Sequence, residues 1–356
     1  MVDQNKIDLS PSYQRNFIWS SNDQKELIDS IIWEMPLPNL FLYERPDGVY
    51  EMVDGQQRTT TIYRFVKGKI SSSKETGQKT FEELDKGKIL DYQIPLVVIS
   101  DIQDPSILND YYVRINKKGK HLNTPELFKS EFEGTKFLDL ANTCLLNQDF
   151  LELDLFTDAV SKRMNDRAYV EELLGYLKEG IRDKKKFIKS IYEVDISDEE
   201  YDELKTKFDQ ISKIINRFNK IKSIKSTRYK QKNDFYTLFS FVNENLLEEE
   251  EVLNYQYGIL LCLDGTDNEG RQLIRPTNDK CSSLRKYAEN CVTQSNSKQA
   301  RNNRLEIVNN LLKNEDEDLN EDMIEVLNYF TEEFGENKVD LKKVGKYYLL
   351  NTELLK

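Results

Sequence analysis

The chain has 356 residues with a formal net charge of −12, 38% hydrophobic and 32% charged residues, and 19 Tyr and 17 Phe. That is long enough for two domains, too aromatic for a disordered chain and too acidic to coat DNA by overall charge. The start, Met1-Val2-Asp3-Gln4, has neither a basic nor an apolar signal region, and no run of about 18 apolar residues occurs, so a soluble cytoplasmic protein without membrane contact is expected.

Residues 7 to 19 read as a strand running into a polar loop, with Pro11 keeping Ser10 extended. A helix is predicted over about 22 to 34. Ser21 starts it, Gln24 follows in capping-box spacing, and Leu27, Ile28, Ile31 and Ile32 form one apolar face. Met35-Pro36-Leu37-Pro38 ends it. Asn39 to Tyr43 and Val49 to Val53 read as strands joined by the turn Glu44-Arg45-Pro46-Asp47-Gly48. Asp54-Gly55 breaks the strand period, and Gln56 to Val66 has helical spacing. The run Thr59-Thr60-Thr61 is poor helix material and implies support from tertiary contacts. Residues 68 to 79 form a Gly/Ser/Lys-rich loop, and Gln93 to Ile99 reads as a buried strand.

Beyond about residue 135, give or take ten, strand signals fade. Helices are predicted over 165 to 178, 198 to 223, 234 to 246, 249 to 262, 297 to 312 and 320 to 334, with no second sheet domain. The expected division is 1 to 135 and 136 to 356, in an α+β class. Residues 217 to 232 hold Arg217, Lys220, Lys222, Lys225, Arg228, Lys230 and Lys232 without an acid, while 315 to 336 are strongly acidic. The basic stretch suits a phosphate backbone or, slightly better, pairing with the acidic run within this chain or across a dimer, with Phe218, Ile221 and Ile224 pinning it down.

Cys144, Cys262, Cys281 and Cys291 include no C-x-x-C pair and read as reduced thiols. His121 is the only histidine, which disfavours Cys/His zinc sites and histidine-based hydrolases. No P-loop is present.

The turn Asp54-Gly55-Gln56-Gln57-Arg58 carries the chemistry. Asp54 and Arg58 stand one helical turn apart, and Gly55 permits a sharp turn and close approach of a ligand. The helix start favours an anion, Arg58 offers a fork for phosphate, and Asp54 can hold a divalent cation or orient water. Gln56 and Gln57 supply uncharged amides. The plain alternative is a charged pair closing a strand–helix junction. In Tyr13-Gln14-Arg15-Asn16-Phe17-Ile18-Trp19 the aromatics and Arg suit base stacking, or equally a core with a solvated Arg15.

Residues 9 to 66 resemble the N-terminal domain of the GmrSD-type restriction family, itself similar to the ParB/sulfiredoxin-like fold. The matching pieces are Pro11 with Tyr13-Gln14-Arg15 and Trp19, Gln24 with Leu27-Ile28-Ser30-Ile31, Pro36 with Pro38, and Asp54-Gly55-Gln56-Gln57-Arg58. Arg114-Ile115-Asn116, Gly119, Leu122-Asn123 and Glu126 extend the match, which continues weakly through Arg163-Met164 and Asp166. The resemblance implies binding and hydrolysis of a nucleoside triphosphate (NTP) with Mg2+ in restriction or anti-phage defence. It makes Asp54, Gln57 and Arg58 the catalytic candidates, with Asp54 also the metal ligand. Gln14, Arg15, Gly55, Gln56, Arg114 and Asn116 become binding candidates. Many relatives carry a C-terminal histidine-metal nuclease, and one histidine cannot furnish it. The expectation is therefore an NTPase or sensor subunit, with DNA, a nuclease chain and a second copy as candidate partners. A non-enzymatic nucleic-acid-binding sensor, or a DNase centred on the turn, are the alternatives.

Overall fold

The computed structural model describes residues 2–4, 6–11, 17–100, 102, 107, 123–316 and 318–354, with backbone alone at 184–186. The chain divides into two compact units, Met1–Glu133 with Asp158–Asn165, and Gly134–Thr157 with Asp166–Lys356.

The first unit is built on a four-stranded mixed sheet. Strand β1 (Ile7–Asp8) precedes helix α1 (Ser21–Ile32). Strands β2 (Leu40–Glu44) and β3 (Tyr50–Asp54) follow, then α2 (Gln56–Val66), the short α3 (Lys86–Leu90), β4 (Leu96–Ile99) and α4 (Thr124–Glu131). The spatial order is β1-β3-β2-β4. β2 runs antiparallel to β3 and parallel to β4, and β1 runs parallel to β3. Pairing of β2 with β3 steps from Phe41–Asp54 to Leu42–Met52, so Val53 is an extra residue beside Asp54. Such a bulge bends the strand and re-aims the side chain at its end.

α1 starts one residue earlier than the spacing predicts. Ser20 is its N-cap, and Asp23 rather than Gln24 completes the capping box. Its apolar face meets α2: Leu27, Ile28, Ile31, Phe65 and Phe81 are buried together, with Trp19 and Ile62 half-buried against them. Thr61 is fully buried, and its hydroxyl donates to the Gln57 carbonyl at 2.7 Å. The 68-to-79 loop is anchored from below by buried Asp29, which accepts from the Ser73 amide at 3.1 Å and the Thr76 hydroxyl at 2.5 Å.

The strand at 93 to 99 departs from expectation. Among the described residues β4 borders only β2, at the sheet edge, and Leu96 (56%), Val97 (36%) and Val98 (47%) are exposed. β-branched composition suits a pleated surface in general and does not separate centre from edge.

The chain enters the second unit through α5 (Lys136–Leu145) and α6 (Gln148–Leu151), then returns to the first with α7 (Asp158–Lys162). The remaining helices are α8 (Asn165–Glu179), α9 (Lys184–Val194), α10 (Asp198–Ile221), α11 (Lys232–Glu244), α12 (Glu250–Leu263), α13 (Ser282–Val292), α14 (Lys298–Leu312) and α15 (Glu321–Phe334). Their core is aromatic: Phe208, Phe235 and Phe239 are buried, and Phe218 stacks on Tyr257 with ring centroids 4.6 Å apart. A hairpin of β5 (Leu341–Val344) and β6 (Tyr347–Leu350), turning at Gly345 with φ 58°, adds a small second sheet that the sequence reading omits. No helix among the described residues is long and apolar enough to cross a membrane.

Candidate functional site

Asp54 is the last residue of β3, and Gly55 is the N-cap of α2. Gly55 sits at φ 110°, in the left-handed half of backbone space. A Cβ there would lie 2.2 Å from Leu40 Cδ2, so the position admits glycine alone without rearrangement. The sharp turn sets the Asp54 carboxylate over the first turn of α2. Arg58 Nη2 meets Asp54 Oδ2 at 2.7 Å, with Asp54 27% and Arg58 13% exposed. Arg58 Nη1 donates to the Pro38 carbonyl, which ties the guanidinium to the segment entering β2.

The two glutamines act differently from the charged pair. Both are buried. Gln57 Oε1 accepts from the backbone amides of Ile18 at 2.8 Å and Trp19 at 3.1 Å. Gln57 Nε2 donates to Gln56 Oε1 at 3.2 Å, and Gln56 Nε2 donates to the Ser10 hydroxyl at 3.2 Å. This chain of amides fastens the segments on either side of residues 12 to 16 onto the start of α2. A buried amide carbonyl satisfying two backbone donors has a structural role whatever else it does.

A second network nearby escaped the sequence reading. Gln24 Nε2 donates to the carbonyls of Trp19 (3.2 Å) and Ser20 (3.3 Å), and Gln24 Oε1 accepts from Arg64 Nη1 at 3.1 Å. Arg64 also lies over the Phe17 ring, 5.4 Å from its centroid. The available signal was spacing: Arg64 follows Gln57 by seven residues, two turns along one face of α2. At the far end of that helix the Asp3 carboxyl is held below its usual range by hydrogen bonds from Lys67 and Tyr63, and the Tyr63 hydroxyl is pushed up by the same contact.

The structure thus brings Asp54, Gly55, Gln56, Gln57 and Arg58 together with Phe17, Ile18 and Trp19. Gln14, Arg15, Arg114, Asn116 and His121 lie outside the described residues. Among the described residues no group of three or more His, Cys, Asp or Glu side chains stands ready to hold a metal. Asp54 Oδ1 has no donor among the described residues, so one carboxylate oxygen is open. A single open carboxylate fits Mg2+, which commonly takes one or two protein carboxylates and fills its other positions with water and substrate phosphates.

Asn123 and Glu126 form a capping box on α4, and the chain returning through 158 to 165 docks on it. Arg163 Nη2 and Nε reach the two oxygens of Glu126 at 2.9 Å each, and Asn123 Nδ2 donates to the Arg163 carbonyl at 2.9 Å. The Glu126 side chain is fully buried, so this fork compensates a charge that would otherwise be costly.

In the helical unit the basic stretch is dispersed. α10 ends at Ile221, and two 3₁₀ turns follow, so successive bases face different neighbours. Arg217 pairs with Glu250 at 3.0 Å, Lys225 with Asp154, and Arg228 with buried Asp234 at 2.8 Å. The acidic run pairs elsewhere: Glu315 with Lys346 at 2.7 Å and Glu333 with Lys280 at 2.5 Å. Among the described residues these contacts, rather than pairing of the two runs with each other, take up Arg217, Lys225, Arg228, Glu315 and Glu333 within one chain; pairing across a second copy is a separate expectation. Phe218 and Ile224 are buried as anchors, whereas Ile221 is 50% exposed.

No curated protein and no solved structure gives a match. Residues 1–133 match the family model described as the GmrSD restriction endonuclease, N-terminal domain.

Proposed function

Residues 1–133 form a GmrSD-type N-terminal domain, and from that premise we propose that the chain serves a restriction or anti-phage defence system by binding and hydrolysing a nucleoside triphosphate at the Asp54–Arg58 turn. The observation that carries this reading is the ion pair at 2.7 Å on a left-handed glycine turn, with an open carboxylate oxygen beside it. Arg58 presents charge-assisted donors to the phosphates. Asp54 would orient a water or hold a divalent cation, and a cation there would supply charge neutralisation for the transferred phosphoryl group. Gln56 and Gln57 position the turn and the segment that packs on it. The positive end of α2 faces the same place.

The test is phosphate release from ATP and GTP by the full chain with Mg2+, with and without duplex DNA. Asp54→Asn is expected to cut turnover by about 100-fold or more while leaving the thermal midpoint nearly unchanged. Arg58→Gln is expected to weaken nucleotide binding by about 10- to 100-fold, the usual worth of charged hydrogen bonds. Equal turnover in wild type and Asp54→Asn ends the assignment. Loss of DNA cleavage rather than phosphate release would transfer the same residues to a DNase.

A further inference from the structure

The helical unit contains a cavity of about 970 Å³ between α10, the end of α11, the end of α14 and the β5–β6 turn. It falls at the upper end of the size range of small-molecule sites. Gln210, Lys213, Ile214 and Arg217 line it from one face of α10, at helical spacing. Lys313, the C-cap residue of α14, faces them.

The hydrogen-bonding inventory of the walls is lopsided. Each of the four carboxylates already has a donor. Glu250 takes Arg217 Nη1 at 3.0 Å, Glu315 takes Lys346 at 2.7 Å, Glu248 takes the Tyr347 hydroxyl at 2.7 Å, and Glu244 takes Asn309 Nδ2 at 2.9 Å. The cations keep spare donors. Arg217 Nη2 is buried with no acceptor, and neither Lys213 nor Lys313 has an ion-pair partner among the described residues. The two lysines at the cavity wall therefore keep ammonium donors that an entering anion can take. Half-buried Leu246 and fully exposed Leu247 add apolar surface beside these donors.

We infer that this cavity is a binding site for a phosphate-bearing small anion, held by Arg217, Lys213 and Lys313. It is separate from the Asp54–Arg58 turn and does not depend on the role proposed there. The phosphate can belong to a mononucleotide or be free, as in pyrophosphate, and Leu246 and Leu247 give a base something to rest on.

Calorimetry in EDTA separates these sources, using AMP and pyrophosphate on the full chain and on Lys213→Gln/Lys313→Gln. Both lysines reach solvent and carry no fold-defining contact. A saturable event in the wild type should weaken by about tenfold or more in the double variant. AMP binding more tightly than pyrophosphate assigns a mononucleotide, and the reverse order assigns free phosphate. Either supports the site. Binding that the double variant leaves unchanged overturns it, as does a wild type that binds neither anion below about 1 mM. Binding of a single-stranded oligonucleotide alone, lost in the double variant, also overturns it in favour of a nucleic-acid surface.

Discussion

Gly55 is the residue on which the candidate site turns. An L-residue there meets both an unfavourable φ of 110° and the Leu40 side chain, itself buried in the sheet. Gly55→Ala is expected to destabilise the first unit by about 3 kcal/mol or more, combining backbone strain with overpacking. Gly68→Ala is the control: φ is also positive, 68°, but nothing lies within 4 Å of the added Cβ, so about 1 kcal/mol is expected. Urea titrations of the two variants check the difference, and equal costs would remove the steric argument. Arg228 makes the same point about charge. Its partner Asp234 is 5% exposed and also accepts from the Tyr287 hydroxyl at 2.9 Å. Arg228→Gln leaves a buried carboxylate poorly matched, at a cost of about 3 kcal/mol, while Lys230→Gln should stay within about 0.5 kcal/mol. A shared loss of stability in the two proteins would contradict this ranking, which the basic stretch in the sequence gave no means of drawing.

The long helices were legible because each carries an apolar face of three or more turns, and the ends of α8, α10, α12, α14 and α15 fall close to the expected positions. α5, α9 and α13 were missed, being shorter and flanked by polar segments that blur the period. At the candidate site, the juxtaposition of Asp54 and Arg58 followed from helical spacing alone. The roles of Gln57, Gln24 and Arg64 did not, because their partners are main-chain groups and an amide up to 40 residues away. One helix-to-helix contact gives a pH dependence. Glu325 on α15 accepts from the amides of Ser282 at 2.7 Å and Ser283 at 2.8 Å, capping the start of α13. Burial alone would raise its carboxyl, but these donors and the Ser283 hydroxyl outweigh it and bring it down to about 2. A depressed carboxyl contributes stability above its ordinary value of 4.5, and that contribution fades as pH falls toward 2. Allowing for solvent screening, it is worth about 1 kcal/mol. Glu325→Gln should therefore be less stable than wild type at pH 6, with the gap closing by pH 2.5. A gap independent of pH would mean the charge plays no part.

Across the whole molecule all four cysteines are free thiols, Cys144 and Cys281 buried and Cys262 and Cys291 half-buried. Burial pushes Cys144 and Cys291 up to about 12 and Cys281 to about 11. At pH 8 their thiolate fraction is about one in a thousand or less, so a thiol reagent should label buried Cys144 and Cys281 only after denaturation and half-buried Cys291 slowly. Rapid labelling of Cys144 or Cys281 in the native protein, read by peptide mass, would contradict their burial. The return of 158 to 165 to the first unit bears on how that unit is made. Twenty-four residues of the second unit, Gly134–Thr157, are synthesised before Arg163 appears. Until it does, the fully buried Glu126 carboxylate lacks the Arg163 guanidinium, and the Asn123 side chain lacks the Arg163 carbonyl. A nascent chain emerging from the ribosome cannot close its amino-terminal unit in strict order, and a fragment cut at residue 133, where the family match stops, would keep the Glu126 carboxylate buried with the Asn123 amide but without the cation that balances it.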